Sequence, residues 1–94
     1  MAAWKKLLAS MVADRWPTSY TYAQAGTVLK RLGFDPPELT GGSHRKWRRV
    51  VHDAQAPSGK RTVYIGLVDK GHGTMPPVYV REMVQILREN HLLP

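Results

Sequence analysis

The chain predicts an α+β domain, on three observations. Apolar residues recur at helical spacing near the start (Trp4, Leu7, Leu8, Met11), again at Ala25, Val28, Leu29 and Leu32, and again at Val80, Met83, Val84 and Leu87. Between the second and third stripes the period changes to two, in the runs His44 to His52 and Arg61 to Val68. Those runs are joined by Ala56-Pro57-Ser58-Gly59-Lys60, turn chemistry that makes them neighbouring antiparallel strands. Helices and strands are therefore segregated rather than alternating, and 94 residues leave room for one domain with one core.

The first stripe predicts a helix from Ala2 to Asp14 with Lys5 and Lys6 off its apolar face; Pro17 disfavours helical geometry at Trp16 and so ends it. A basic amphipathic helix of this kind can lie on a membrane, but a single apolar face at this length predicts packing against the domain. Thr21 opens the second helix as its cap, with Gln24 three residues on as the capping-box partner. Gly33 supplies the left-handed residue that closes it, and Phe34 is placed for the apolar contact that follows such a cap. Asp35-Pro36-Pro37 forbids continuation, so the stretch through Thr40 reads as an irregular connector into a turn at Gly41-Gly42.

Alternation divides the His44 to His52 strand into two faces. His44, Lys46, Arg48, Val50 and His52 share one, and Arg45, Trp47, Arg49 and Val51 share the other. Trp47 and Val51 are the better core anchors, so the first set is predicted to point outward. On the second strand Val63, Ile65 and Leu67 face the core and Tyr64 faces out near the basic residues, where it could stack on a base. A loop over 69–74 and a proline pair lead into the last helix, from about Pro77 to Asn90.

Charge narrows the partners. Lys and Arg number 14 against 7 Asp and Glu, a formal net charge of +7, which favours a polyanion or an acidic protein. Absence of cysteine excludes disulfides and thiolate metal sites and agrees with a reducing compartment. The four histidines, His44, His52, His72 and His91, lack the i, i+4 spacing and accompanying carboxylates of a metallohydrolase, so neither metal nor other cofactor is predicted. A start without a long apolar run and the lack of a ~20-residue apolar segment predict a cytoplasmic protein with no membrane partner.

The densest chemistry lies in Gly41-Gly42-Ser43-His44-Arg45-Lys46-Trp47-Arg48-Arg49, where a turn delivers a histidine into four cations around one aromatic. An imidazole, which titrates near pH ~6.5 in model peptides, surrounded by Arg and Lys suits acid–base work on a phosphodiester. Ser43 and His44 are not a nucleophile and its base, because adjacent strand residues point to opposite faces. The loop also lacks the Lys-Ser/Thr ending of a P-loop.

Leu32-Gly33-Phe34, then Gly42-Ser43-His44 opening a strand, then a second strand and the helix Pro76-Pro77-Val78-Tyr79-Val80-Arg81-Glu82, together resemble the HicA family of toxin mRNA interferases over roughly Tyr20 to Asn90. The resemblance implies a fold like the double-stranded-RNA-binding domain: a small three-stranded antiparallel sheet packed on one face by two helices. On that frame residues 1–94 form one domain, with 1–17 an added N-terminal helical extension and 18–94 the core. It implies His44 as catalytic residue of a metal-independent endoribonuclease that cuts mRNA and arrests translation, and a HicB-like antitoxin that covers His44 and represses the operon. Gly42, Ser43, Arg45, Lys46, Arg48 and Tyr64 become the expected RNA-binding residues. Lys70 and His72 join them as echoes of a basic loop, although Ile65-Gly66-Leu67-Val68 lacks the proline with which the family commonly ends its last strand. From the residues alone two other classes stay open, a non-catalytic RNA-binding module and a domain that docks an acidic protein.

Overall fold

A capping box at Thr21 and a left-handed glycine at Gly33 fix the second helix at both ends, and the rest of the architecture builds out from it. The computed structural model describes residues 3–39, 44–69 and 73–94. Helix α1 spans Ala3–Ala13 and α2 spans Tyr22–Arg31; strands β1, β2 and β3 follow at Asp35–Leu39, His44–His52 and Lys60–Val68, and α3 closes the order at Pro77–Glu89. The fold is thus α+β, with a three-stranded antiparallel sheet in the order β1-β2-β3 and three helices.

Both α2 caps form as the residues dictate. The Thr21 hydroxyl accepts from the Gln24 backbone N–H at 3.1 Å, and the Gln24 carboxamide accepts from the Thr21 N–H at 2.8 Å. At the other end Gly33 takes φ +87, its N–H donates to the Lys30 carbonyl, and the Phe34 N–H reaches back to the Leu29 carbonyl. α3 ends by the same pattern, Leu92 to Leu87 and His91 to Arg88, but with His91 in the left-handed region at φ 57. Histidine is among the residues that tolerate this conformation better than most.

The connector expected over 35–40 is instead a strand, as far as Leu39. Prolines have no N–H to donate, yet β1 is an edge strand with one neighbour, so only half of its backbone groups need partners. Pairing runs from Asp35↔Arg48 to Glu38↔Lys46, so β1 advances three residues while β2 advances two. Pro36 and Pro37 lie in that irregularity, where a bulge removes the demand for ladder donors.

The core joins one face of the sheet to the helices. Trp47, Val63, Ile65 and Leu67 from the sheet, Ala25, Val28 and Leu29 from α2, and Val80, Met83, Val84 and Leu87 from α3 are all buried in one cluster. α1 packs on α2 and α3 and adds Leu8 and Met11 to that cluster, so the helical extension belongs to the same core. Gly26 makes the sheet–helix contact possible: a Cβ there would stand 3.3 Å from Cζ2 of Trp47, tighter than side chains normally tolerate. The phase of β2 follows from this anchor, since a one-residue slip would put Trp47 in water and Lys46 in the core.

Candidate nucleic-acid interface

With Trp47 buried, the alternate residues of β2 must face away from the helices. His44, Lys46, Arg48, Val50 and His52 are exposed there, and Lys60, Tyr64 and Gly66 of β3 are exposed beside them. Register sets the neighbours: His44 stands opposite Val68, Lys46 opposite Gly66, Arg48 opposite Tyr64 and His52 opposite Lys60. β2 and β3 together carry Arg45, Lys46, Arg48, Arg49, Lys60 and Arg61 and no carboxylate. Of these, Lys46, Arg48 and Lys60 lie on the outer face, which is positive along the two strands and tempered at the β1 edge, where Asp35 stands opposite Arg48 and Glu38 opposite Lys46.

Tyr64 is half exposed at 50%, and the Lys46 ammonium lies 4.8 Å from its ring centroid. This cation–π contact tilts Lys46 away from its own register partner and holds a charge beside an aromatic surface. A positive rung, an open ring and an imidazole on one pleated surface can hold the backbone and a base of a single strand while presenting a proton-transferring group.

The other predicted residues divide. Arg45 lies on the opposite face from His44, where its Nε is 3.6 Å from the Asp69 carboxylate. It is still 41% exposed, but its charge is partly answered within the fold. The four residues Gly42, Ser43, Lys70 and His72, and the turn at Gly41-Gly42, lie outside the described residues.

Two contributors to the site carry no signal in the sequence. The Tyr22 hydroxyl, on the first turn of α2, donates to the Val68 carbonyl, which ties helix α2 to the end of β3 that pairs with His44. Burial, then the nearby Asp69 charge, then Tyr79, hold the Tyr22 hydroxyl above the ordinary tyrosine value, so it stays a donor. Arg49 donates to the Leu32 carbonyl at 2.6 Å, so this cation serves the end of α2. Both contacts join residues far apart in the chain, and a reader of local pattern has no means to pair them. The Arg45–Asp69 contact was nearer to view, because Asp69 directly follows β3 and falls diagonal to Arg45 once the hairpin register is known.

Comparison with family models, with curated proteins and with solved structures finds no match to this chain. Among the described residues no helix is long and apolar enough to cross a membrane.

Proposed function

We propose that this chain is a metal-independent endoribonuclease of the HicA kind, the toxin of a toxin–antitoxin pair, acting on mRNA in the cytoplasm through His44. The observation that carries the reading is the common face of His44, Lys46, Arg48 and Tyr64 on two paired strands that hold no carboxylate themselves. The order helix, three strands, helix from Tyr22 to Glu89 supports a fold of the double-stranded-RNA-binding-domain kind.

The chemistry requires little machinery. A 2′-hydroxyl attacks the adjacent phosphorus, the bond to the 5′-oxygen breaks, and one proton leaves the attacking oxygen while another reaches the leaving oxygen. His44 takes the first proton or returns the second, and Lys46 and Arg48 hold the phosphate oxygens on which charge develops. Tyr64 supplies the aromatic surface for a neighbouring base. A net charge of +7 also favours an acidic antitoxin, which silences the protein by covering His44.

The second reading, a binder without chemistry, uses the same face and is indifferent to the imidazole. Induced expression separates the two. The chain is expected to arrest growth and to deplete full-length mRNA, while His44→Ala, made at the same level, leaves both unchanged; arrest by His44→Ala refutes the catalytic reading.

A further inference from the structure

Among the described residues, the side-chain layer on the outer face of β2 and β3 has a gap at Gly66. Gly66 is exposed, and a Cβ built on it meets nothing within 4 Å. Its φ is not in the left-handed range, so the backbone does not demand glycine here. An interior strand position ordinarily favours a β-branched or aromatic residue, and glycine weakens it. Its register partner does not fill the space either, since the Lys46 ammonium leans to Tyr64.

The result is a shallow concavity of about 400 Å³ with Gly66 as its floor, the Lys46–Tyr64 pair on one side and His44 with Val68 on the other. Along β3 the outward residues that bracket it, Tyr64 and Val68, are four positions apart, about 13 Å at the ordinary strand rise. That is wide enough for a flat ring lying on the backbone.

We infer that the Gly66 concavity is a nucleobase subsite, which takes one unpaired base of a single-stranded RNA against the Tyr64–Lys46 pair and so sets which nucleotide lies at His44. The inference rests on the reading of this face as an RNA site and adds to it the element that selects the substrate strand. The occupant follows from the surroundings. An aromatic edge, bare backbone and a fixed ammonium suit a π-system with a phosphate attached. A base paired within a duplex cannot enter, because its faces are stacked and its edges occupied. The cations along the hairpin then follow the phosphates on either side.

Gly66→Val tests this directly. Valine suits an exposed strand position and meets no neighbour at its Cβ, so the thermal midpoint should stay or rise. The probe is an eight-nucleotide single-stranded RNA with every 2′-oxygen methylated, so that it binds without being cut, and a series of the same strand with one base removed at each position in turn. Wild-type protein should lose about 5- to 160-fold in affinity at one abasic position, the range for loss of one stacked base. Gly66→Val should bind the intact strand as weakly as wild type binds that abasic one, and show no positional preference, while its salt dependence is unchanged. Gly66→Ala, which adds a single carbon, should fall between.

Equal affinity of wild type and Gly66→Val for the intact strand overturns the subsite and leaves the RNA reading standing. Failure of wild type to bind the single strand at low salt overturns both. Tighter binding to a duplex of the same sequence also overturns the subsite.

Discussion

Replacing Lys46 with Ala probes the phosphate-holding part of the site, and the structure sets the size of the effect. Lys46 and Arg48 are the cations that share the outer face with His44 near the Gly66 end, whereas the Arg45 guanidinium lies 3.6 Å from Asp69 on the other face. Two phosphate contacts to a single strand give a slope of about −1.4 in log affinity against log salt, at about −0.7 for each contact. Raising salt from about 50 to about 200 mM should then weaken wild-type binding about sevenfold, and Lys46→Ala binding only about 2.5-fold. Loss of the ammonium over Tyr64 removes an exposed cation–π contact, worth about 0.5–1 kcal/mol, so the fold survives the change. The assay is fluorescence anisotropy with a labelled 2′-O-methylated single strand across a salt series. A slope near −2.1 in wild type would return Arg45 to the count. Equal slopes for wild type and Lys46→Ala would refute the assignment of Lys46 to a phosphate.

Two further changes test what positions the face. Thr21→Ala removes one half of the capping box and should lower stability by about 1 kcal/mol in urea unfolding, with no change in RNA affinity; an unaltered midpoint would mean the cap contributes nothing. Tyr22→Phe deletes the hydrogen bond to Val68 and should reduce stability at neutral pH by about 0.5–1.5 kcal/mol. It should also change the alkaline limb. Because the folded protein holds the Tyr22 proton more tightly than the unfolded chain does, its contribution is fully present below the ordinary tyrosine pKa of about 10 and is lost as pH rises through the raised folded value. Wild type should therefore lose more stability than Tyr22→Phe across that window, and equal losses would contradict the cause given for the shift.

The residues that could be read in advance are those whose partners are local. Thr21 bonds Gln24 three residues on, and Gly33 and Phe34 bond back to Lys30 and Leu29 within the last turns of the same helix, so both caps form as their spacing requires. The orientation of His44 was equally legible, since a period of two and one decisive aromatic, Trp47, leave a single phase for the strand. β1 was hidden because proline argues against a strand when it is read without knowledge of the sheet edge; only the pairing to β2 shows that the missing donors are not needed. The end of α3, expected at about Asn90, falls at Glu89 with Asn90 as its cap; only the left-handed residue that follows, His91, was hidden, because glycine is the usual signal there. Alternation already set Arg45 and Arg49 on the face away from His44; what it does not show is that their side chains turn to Asp69 and to the end of α2, because those partners come from another part of the chain.

His44 is where catalysis and binding part, and His44→Gln on purified protein separates them. Glutamine keeps a hydrogen-bonding side chain of similar reach at an exposed strand position but cannot accept and return a proton as an imidazole does. An exposed substitution of this kind should move stability by no more than about 0.5 kcal/mol. Cleavage of an unmodified single-stranded RNA, affinity for its 2′-O-methylated form and the thermal midpoint are measured on one preparation. The cleavage rate should fall by about 10²–10⁴ while affinity changes less than a few-fold and the midpoint holds. Cleavage by His44→Gln at the wild-type rate would contradict the assignment of His44 as the acid–base group.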